Sequence, residues 1–122
     1  MAKWIPCEDG FIEADVIRWK EGVWERRGRL GRRITKRTRA INVGDRVVTG
    51  EVLKDDGDGW VRVLVRKCEI VSEKPGRRVA LLPKGEEVRR RRRTIERGEP
   101  ERLLWSDETA RGALISQFLG KR

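Results

Sequence analysis

Two alternating apolar segments, separated by a turn rich in Asp and Gly, most constrain how this chain folds. The first covers residues 46–54 and the second residues 60–71, with Asp55–Gly59 between them. A period of two places the apolar side chains of each segment on one side of a strand. Asp and Gly are the residues that tight turns favour. The pattern predicts a central β-hairpin over residues 41–71.

The second strand of this hairpin changes its apolar face partway along. Apolar side chains share one face as far as Val65, whereas Cys68 and Ile70 continue the pattern one residue out of phase. One extra residue near Arg66–Lys67 produces such a shift. We therefore expect a β-bulge there that bends the strand.

Short strands are also predicted on either side of the hairpin. Residues 79–82 form an apolar run between two turns, and residues 88–95 carry too few apolar side chains for an amphipathic helix. Residues 11–27 allow two interpretations, a helix or a hairpin over residues 16–26 that turns at Lys20–Gly22. We favour the hairpin, because Gly22 inside a helix costs about 1 kcal/mol relative to Ala.

The chain ends in a segment that is typical of a helix, over residues 106–120. Ser106 is a suitable N-cap, and Gly120 is a suitable C-terminal stop. Four apolar residues fall on roughly one face, which we expect to pack on the sheet: Ala110, Ala113, Leu114 and Phe118. At 122 residues the chain fits a single domain over residues 1–122. We expect a mainly β fold: a small, strongly bent antiparallel sheet or SH3-like barrel with one C-terminal helix.

The central hairpin resembles a known family in its residues 44–71. With its leading Gly44 and Asp45 and its alternating valines, it looks like the two-strand core of SH3-like barrels. These barrels include small ribosome-associated and transcription-associated modules that bind nucleic acid. They commonly carry a Gly after the first strands, and Gly50 is the candidate here. The resemblance implies a fold, and nucleic-acid binding only by analogy.

Positive charge is concentrated just before the hairpin. Of the formal net charge of +10, the stretch from residue 26 to residue 39 contributes +8 without a single acidic residue. Its few apolar side chains predict a basic mobile loop or arm over residues 26–40. The planar guanidinium group suits bidentate contact with phosphate. The arm consists of Arg26, Arg27, Arg29, Arg32, Arg33, Lys36, Arg37 and Arg39.

Two further groups extend this candidate nucleic-acid surface. Five consecutive arginines are flanked by glutamates, so their net field is weaker: Arg89, Arg90, Arg91, Arg92 and Arg93. On an extended strand their side chains alternate between the two faces, which predicts an edge strand or an outward protrusion. Trp19 and Trp24 lead into the arm, and at least one of them is expected to offer a face on which a base stacks. Trp60 and Trp105 are expected in the core.

The composition argues against catalysis. The chain contains no His, which removes the usual general base and the imidazole metal ligands. Cys7 and Cys68 are too few for a zinc site, and the acidic cluster Asp55–Gly59 fits a turn better than a calcium loop. Cys68 is expected to be a buried apolar side chain, whereas a reactive thiol at Cys7 stays open. We expect no enzyme activity, no cofactor and no metal.

The expected partner is a polyanion. No apolar run exceeds four residues, so we expect no membrane association and a cytoplasmic location. We predict a non-catalytic nucleic-acid-binding protein that contacts phosphates with weak sequence specificity. The alternative is a small adaptor or inhibitor, for example from a phage or mobile element, that binds an acidic surface of a protein partner. The sequence leaves DNA or RNA, single or double strand, and oligomeric state open.

Overall fold

A computed structural model describes residues 3–8, 10–26 and 39–120, with the backbone alone for the last five of these. Six strands and two helices follow one another in the described residues. In chain order they are β1 (Trp4–Pro6), β2 (Val16–Arg26), β3 (Ala40–Asp55), β4 (Trp60–Glu73), β5 (Glu87–Arg91), α1 (Arg92–Arg97), β6 (Glu101–Leu103) and α2 (Glu108–Gly120). The protein is mainly β, as predicted.

The strands form one open antiparallel sheet in the order β1-β6-β2-β3-β4-β5. The long pairing of β3 with β4 is the central hairpin, and three register shifts interrupt it. At one of them Gly50 pairs with Val65 and Thr49 with Lys67, which leaves Arg66 without a partner. The predicted bulge is confirmed. Such irregularities bend a strand locally.

The core lies on one face of the sheet. Ile17 and Trp19 of β2 alternate inward beside Val48 of β3, Val63 of β4 and Val88 of β5. Gly50 lies at a close approach of β3 to β4, where a Cβ atom would lie 2.3 Å from Val63 Cγ1. Any larger side chain at Gly50 would force the strands apart, because interiors are close-packed.

Residues 88–95 are only partly extended, which corrects the prediction of one strand. The strand β5 ends at Arg91, and α1 follows at once. In a continuous strand, Val88 and Ile95 would point to opposite faces, since they are an odd number of residues apart. The turn into α1 places both of them in the core, with Ile95 fully buried.

The predicted hairpin over residues 16–26 is also wrong, as is the alternative helix. These residues form the single strand β2, which pairs with β3 along its whole length. Glu21, expected in the turn, instead points to the core face and binds two arginines. Gly22 lies within the strand, and its φ angle is not positive. Residues 79–82 are likewise not a strand.

The α2 helix is attached by polar contacts. Asp107, and not Ser106, accepts a hydrogen bond from the backbone N–H of Ala110 at 3.1 Å. Arg111 is buried against Asp15, whereas Leu114 of the predicted apolar face is largely exposed. Ala110 and Ala113 are exposed too, so the expected packing is wrong for these three residues, because a buried carboxylate selects Arg111; the side chain of Phe118 lies outside the described residues. That carboxylate also raises the pKa of Arg111 above its ordinary value, through the hydrogen bonds it accepts.

Candidate nucleic-acid interface

The basic arm begins and ends at one corner of the sheet. Arg26 of β2 is opposite Ala40 of β3 in the last pair of that ladder, so both ends of the arm lie side by side. Arg26 and Arg39 are exposed. The other six cations of the arm lie outside the described residues: Arg27, Arg29, Arg32, Arg33, Lys36 and Arg37.

A cleft of about 610 Å³ lies between the outer half of β2 and α1. The strand β6 pairs with β2 only at Ile17 and Arg18, so the remaining edge of β2 faces α1 instead. The backbone N–H of Lys20 donates to the carbonyl oxygen of Gly98 at 3.0 Å, which closes one end. The cleft is lined by Lys20, Glu21, Gly22, Val23, Trp24, Arg46, Arg90, Thr94, Arg97 and Gly98. We call this feature the β2–α1 cleft.

Glu21 organises the base of the β2–α1 cleft. Its carboxylate accepts hydrogen bonds from Nη2 of Arg46 at 2.8 Å and from Nε of Arg90 at 3.0 Å. Nε1 of Trp19 donates to the same carboxylate at 2.9 Å. This carboxylate ties β2 to both β3 and β5 and fixes the two guanidinium groups, which cannot rotate freely while they share it.

These contacts keep the carboxylate of Glu21 ionised. Its side chain is 8% exposed, and burial acts to raise its pKa. The hydrogen bonds and charge of Arg90, with further hydrogen bonds from Arg46 and Trp19, outweigh that effect, so the pKa of Glu21 lies below its ordinary value. Glu21 is therefore ionised at neutral pH, and it cancels only part of the charge of its partners.

Two further cations line the cleft without such partners. Lys20 and Arg97 are exposed, and neither forms an ion pair with another residue of the described part of the chain. With Arg46 and Arg90 against Glu21, the lining carries a net charge of +3. A cleft whose lining has a net positive charge attracts anionic ligands.

The two tryptophans of β2 lie in opposite environments. Trp19 is 1% exposed and belongs to the core, so the expectation that its ring is available for stacking is wrong. Trp24 is 63% exposed and forms part of the cleft wall. Residues 19 and 24 are an odd number of positions apart, so alternation along the single strand β2 places their side chains on opposite faces of the sheet.

The structure divides the arginine block at 89–93. Arg90 points to the core face and pairs with Glu21, whereas Arg92 pairs with Asp55 at 2.7 Å. Arg92 also covers the ring of Phe11 at 4.1 Å from the centroid. These side chains are engaged within the protein, so they do not offer free guanidinium groups to a phosphate.

Arg89 and Arg91 lie on the opposite face of β5, which is an edge strand as predicted. Both guanidinium groups lie over the ring of Trp60, at 4.4 and 4.5 Å from its centroid. Arg89 also approaches Asp58 at 3.5 Å. Trp60 is therefore half-buried under arginines and does not belong to the core. Arg93, on α1, is exposed.

Sequence reasoning missed five polar or charged residues of the cleft: Lys20, Glu21, Arg46, Thr94 and Arg97. The predicted hairpin places Lys20 in its turn, and the predicted strand ends at residue 95, before Arg97. Thr94 and Arg97 are three residues apart, so they share one face of a helix at residues 92–97. Predicting a helix there would have placed the two side chains together. Ile95, between them, points to the core.

Other candidate chemistry is sparse in the described ranges. No group of three or more Cys, Asp or Glu side chains within residues 3–8, 10–26 and 39–120 is placed to hold a metal ion. Burial, and then the charge of Asp15, raises the pKa of the Cys7 thiol to about 11. The thiolate needed for reactivity is then scarce at neutral pH. Among the described helices, none has the length and apolar character needed to cross a membrane.

Comparisons with known proteins give no match among protein-family models, curated proteins or solved structures. The function is therefore inferred from the residues of the interface. These are the exposed cations Arg26, Arg39, Lys20 and Arg97, together with the exposed ring of Trp24.

Proposed function

We propose that the protein binds nucleic acid, through phosphate contacts made by the basic arm and by the β2–α1 cleft, and that it catalyses no reaction. The observation that carries the proposal is the position of the free cations. Lys20 and Arg97 line the β2–α1 cleft, and Arg26 and Arg39 stand at the two ends of the arm, one of them on the same strand as Lys20. Lys20 and Arg26 are six residues apart on β2, about 20 Å, and cations spaced in this way are suited to contact successive phosphates of a nucleic-acid backbone.

Carboxylates at this corner only partly offset the cations. Glu21 is shared by two arginines, and Asp45 accepts a hydrogen bond from the hydroxyl of Ser72 at 3.2 Å. Glu25 lies on β2 between Trp24 and Arg26. Lys20 also lines a second hollow with Glu69, Glu99 and Glu101. Within the cleft lining and at the base of the arm, six cations stand against the three acids above: Lys20, Arg26, Arg39, Arg46, Arg90 and Arg97.

We infer weak sequence specificity. Reading base edges in a duplex takes a helix or ribbon that enters a groove with polar side chains. The α1 helix has only six residues and offers Thr94 and Arg97 beside the cleft. We also propose that the central hairpin is the two-strand core of a strongly bent, SH3-like arrangement, and that the protein is cytoplasmic.

The test is a fluorescence-anisotropy titration of labelled oligonucleotides over a range of salt concentrations. Six to eight phosphate contacts predict a slope of about −4 to −7 for log Kobs against log salt, the smaller values being for single strands. Lys20→Ala and Arg97→Ala should each reduce the slope by about 1. Lys54→Ala is the matched control, because Lys54 lies near the opposite end of β3 from the arm.

A flat salt dependence would overturn the proposal. A pull-down with and without nuclease then tests the alternative. Partners that survive nuclease treatment would favour an acidic protein surface as the ligand, and partners that disappear would favour nucleic acid.

A further inference from the structure

Trp24 is a flat apolar surface that the fold holds in place and leaves uncovered. Its indole Nε1 lies 3.1 Å from the position that a Cβ atom at Gly22 would occupy. The ring therefore leans back along β2 over a residue without a side chain. Nδ2 of Asn42, on the neighbouring strand, lies 3.2 Å from the same position and limits the space on that side. The remaining 63% of the side chain faces solvent.

This apolar surface lies within a basic cleft. Trp24 shares the β2–α1 cleft with Lys20, Thr94 and Arg97. The volume of about 610 Å³ is within the range that accommodates a small organic ligand. Phosphate-binding cations and an exposed aromatic ring in one cleft are the two elements that single-strand sites combine.

We propose that the ligand of the cleft is single-stranded nucleic acid, with one unpaired base stacked on the indole of Trp24 and a neighbouring phosphate bound by Lys20 and Arg97. The proposal rests on the nucleic-acid binding proposed above and names the form of the ligand. The bases of a duplex are already stacked on one another, so they offer no free face to the indole. An unpaired base of any identity has one, in DNA and RNA alike.

The experiment combines a variant of the protein with a variant of the ligand. Wild-type protein and Trp24→Ala are titrated with a labelled single strand of about 12 nucleotides. The same two proteins are titrated with that strand carrying abasic sites and with the duplex formed by adding its complement. DNA and RNA versions of the strand are titrated in parallel, so that the affinity for each kind of nucleic acid is measured.

The expected results follow from the energy of one stacked base. Trp24→Ala should weaken binding of the intact single strand about 5- to 150-fold. Removing the bases should weaken wild-type binding by a similar factor and leave the affinity of Trp24→Ala unchanged. The salt slope should stay the same in both proteins, since no phosphate contact is lost. Trp24→Phe should restore part of the affinity.

Two controls test whether a loss of affinity in Trp24→Ala is specific to that ring and independent of protein stability. Leu53→Ala truncates an exposed apolar side chain at the far end of β3 and should not change affinity. Urea unfolding should show that Trp24→Ala keeps wild-type stability, because the ring is mostly exposed.

The outcomes separate this inference from the proposed function. Salt-dependent binding in which the duplex is bound as tightly as the single strand, or in which Trp24→Ala has no effect, overturns the single-strand inference alone. No salt-dependent binding of any oligonucleotide overturns the proposed function, and this inference with it.

Discussion

The attachment of α2 through one buried ion pair gives the most quantitative prediction about this fold. The carboxylate of Asp15 is fully buried. Arg111 donates to it twice, at 2.9 and 2.7 Å, the indole Nε1 of Trp105 donates at 2.7 Å, and the backbone N–H of Ile12 donates at 2.9 Å. The substitution Arg111→Met keeps an unbranched apolar stem and removes both guanidinium donors.

The expected loss in free energy of unfolding for Arg111→Met depends on the hydrogen-bond donors that remain around the Asp15 carboxylate. Removing one partner of a buried ion pair costs about 3–5 kcal/mol, because the other charge is left without compensation. Asp15 keeps two neutral donors, so we expect the lower end, about 3 kcal/mol for Arg111→Met. Asp15→Asn should cost less, about 1–2 kcal/mol, because the long side chain of Arg111 on an exposed helix can turn to water.

The assay is urea unfolding followed by tryptophan fluorescence. The midpoint should fall while the m-value stays unchanged, which reports a loss of stability within the same fold. Arg66→Met is the control, since Arg66 approaches Glu51 at 3.5 Å while half-exposed. Such a pair contributes at most about 1 kcal/mol. If Arg111→Met costs less than about 1 kcal/mol, or less than Asp15→Asn, the reasoning is refuted.

Two further predictions concern α1 and the start of α2. A Cβ atom at Gly98 would lie 2.2 Å from the carbonyl oxygen of Lys20, so Gly98→Ala should push α1 away from β2 and cost about 1–3 kcal/mol in urea unfolding. Gly112→Ala is its control: no atom lies within 4 Å of the added methyl group on α2, so stability should be unchanged or should rise by up to about 1 kcal/mol, and an equal loss in both variants would contradict the argument. The hydrogen bond from Arg102, then that from the backbone N–H of Trp105, lowers the pKa of Glu108 from 4.5 to about 2. Because the folded-state pKa is the lower one, this contribution to stability is present above about pH 4.5 and is lost as the pH falls towards 2. Unfolding free energies measured across that range should fall less steeply for Glu108→Gln than for wild type, and parallel curves would count against this assignment.

Local sequence patterns were sufficient for the central part of the fold. The alternation around Asp55–Gly59 predicted the pairing of β3 with β4, and the phase change after Val65 predicted the bulge at Arg66. Both depend on residues close together in the chain, where side-chain direction follows directly from the period of a strand. The concentration of positive charge before the hairpin is likewise a property of the sequence alone.

Only the tertiary structure decided which charged and aromatic side chains are free. Glu21 resembled a turn residue, yet it lies inside a continuous strand because Arg46 and Arg90 reach it from 25 and 69 residues away. Trp19 and Trp24 look equivalent in sequence, and because residues 16–26 form one continuous strand, one ring is buried and the other is exposed. The same long-range pairing turned Arg90 inward and made Arg97, unremarkable in the sequence, part of the cleft. A charge is available for binding only if no distant residue neutralises it, and which distant residues meet is settled by folding, because ion pairs and burial depend on proximity in space.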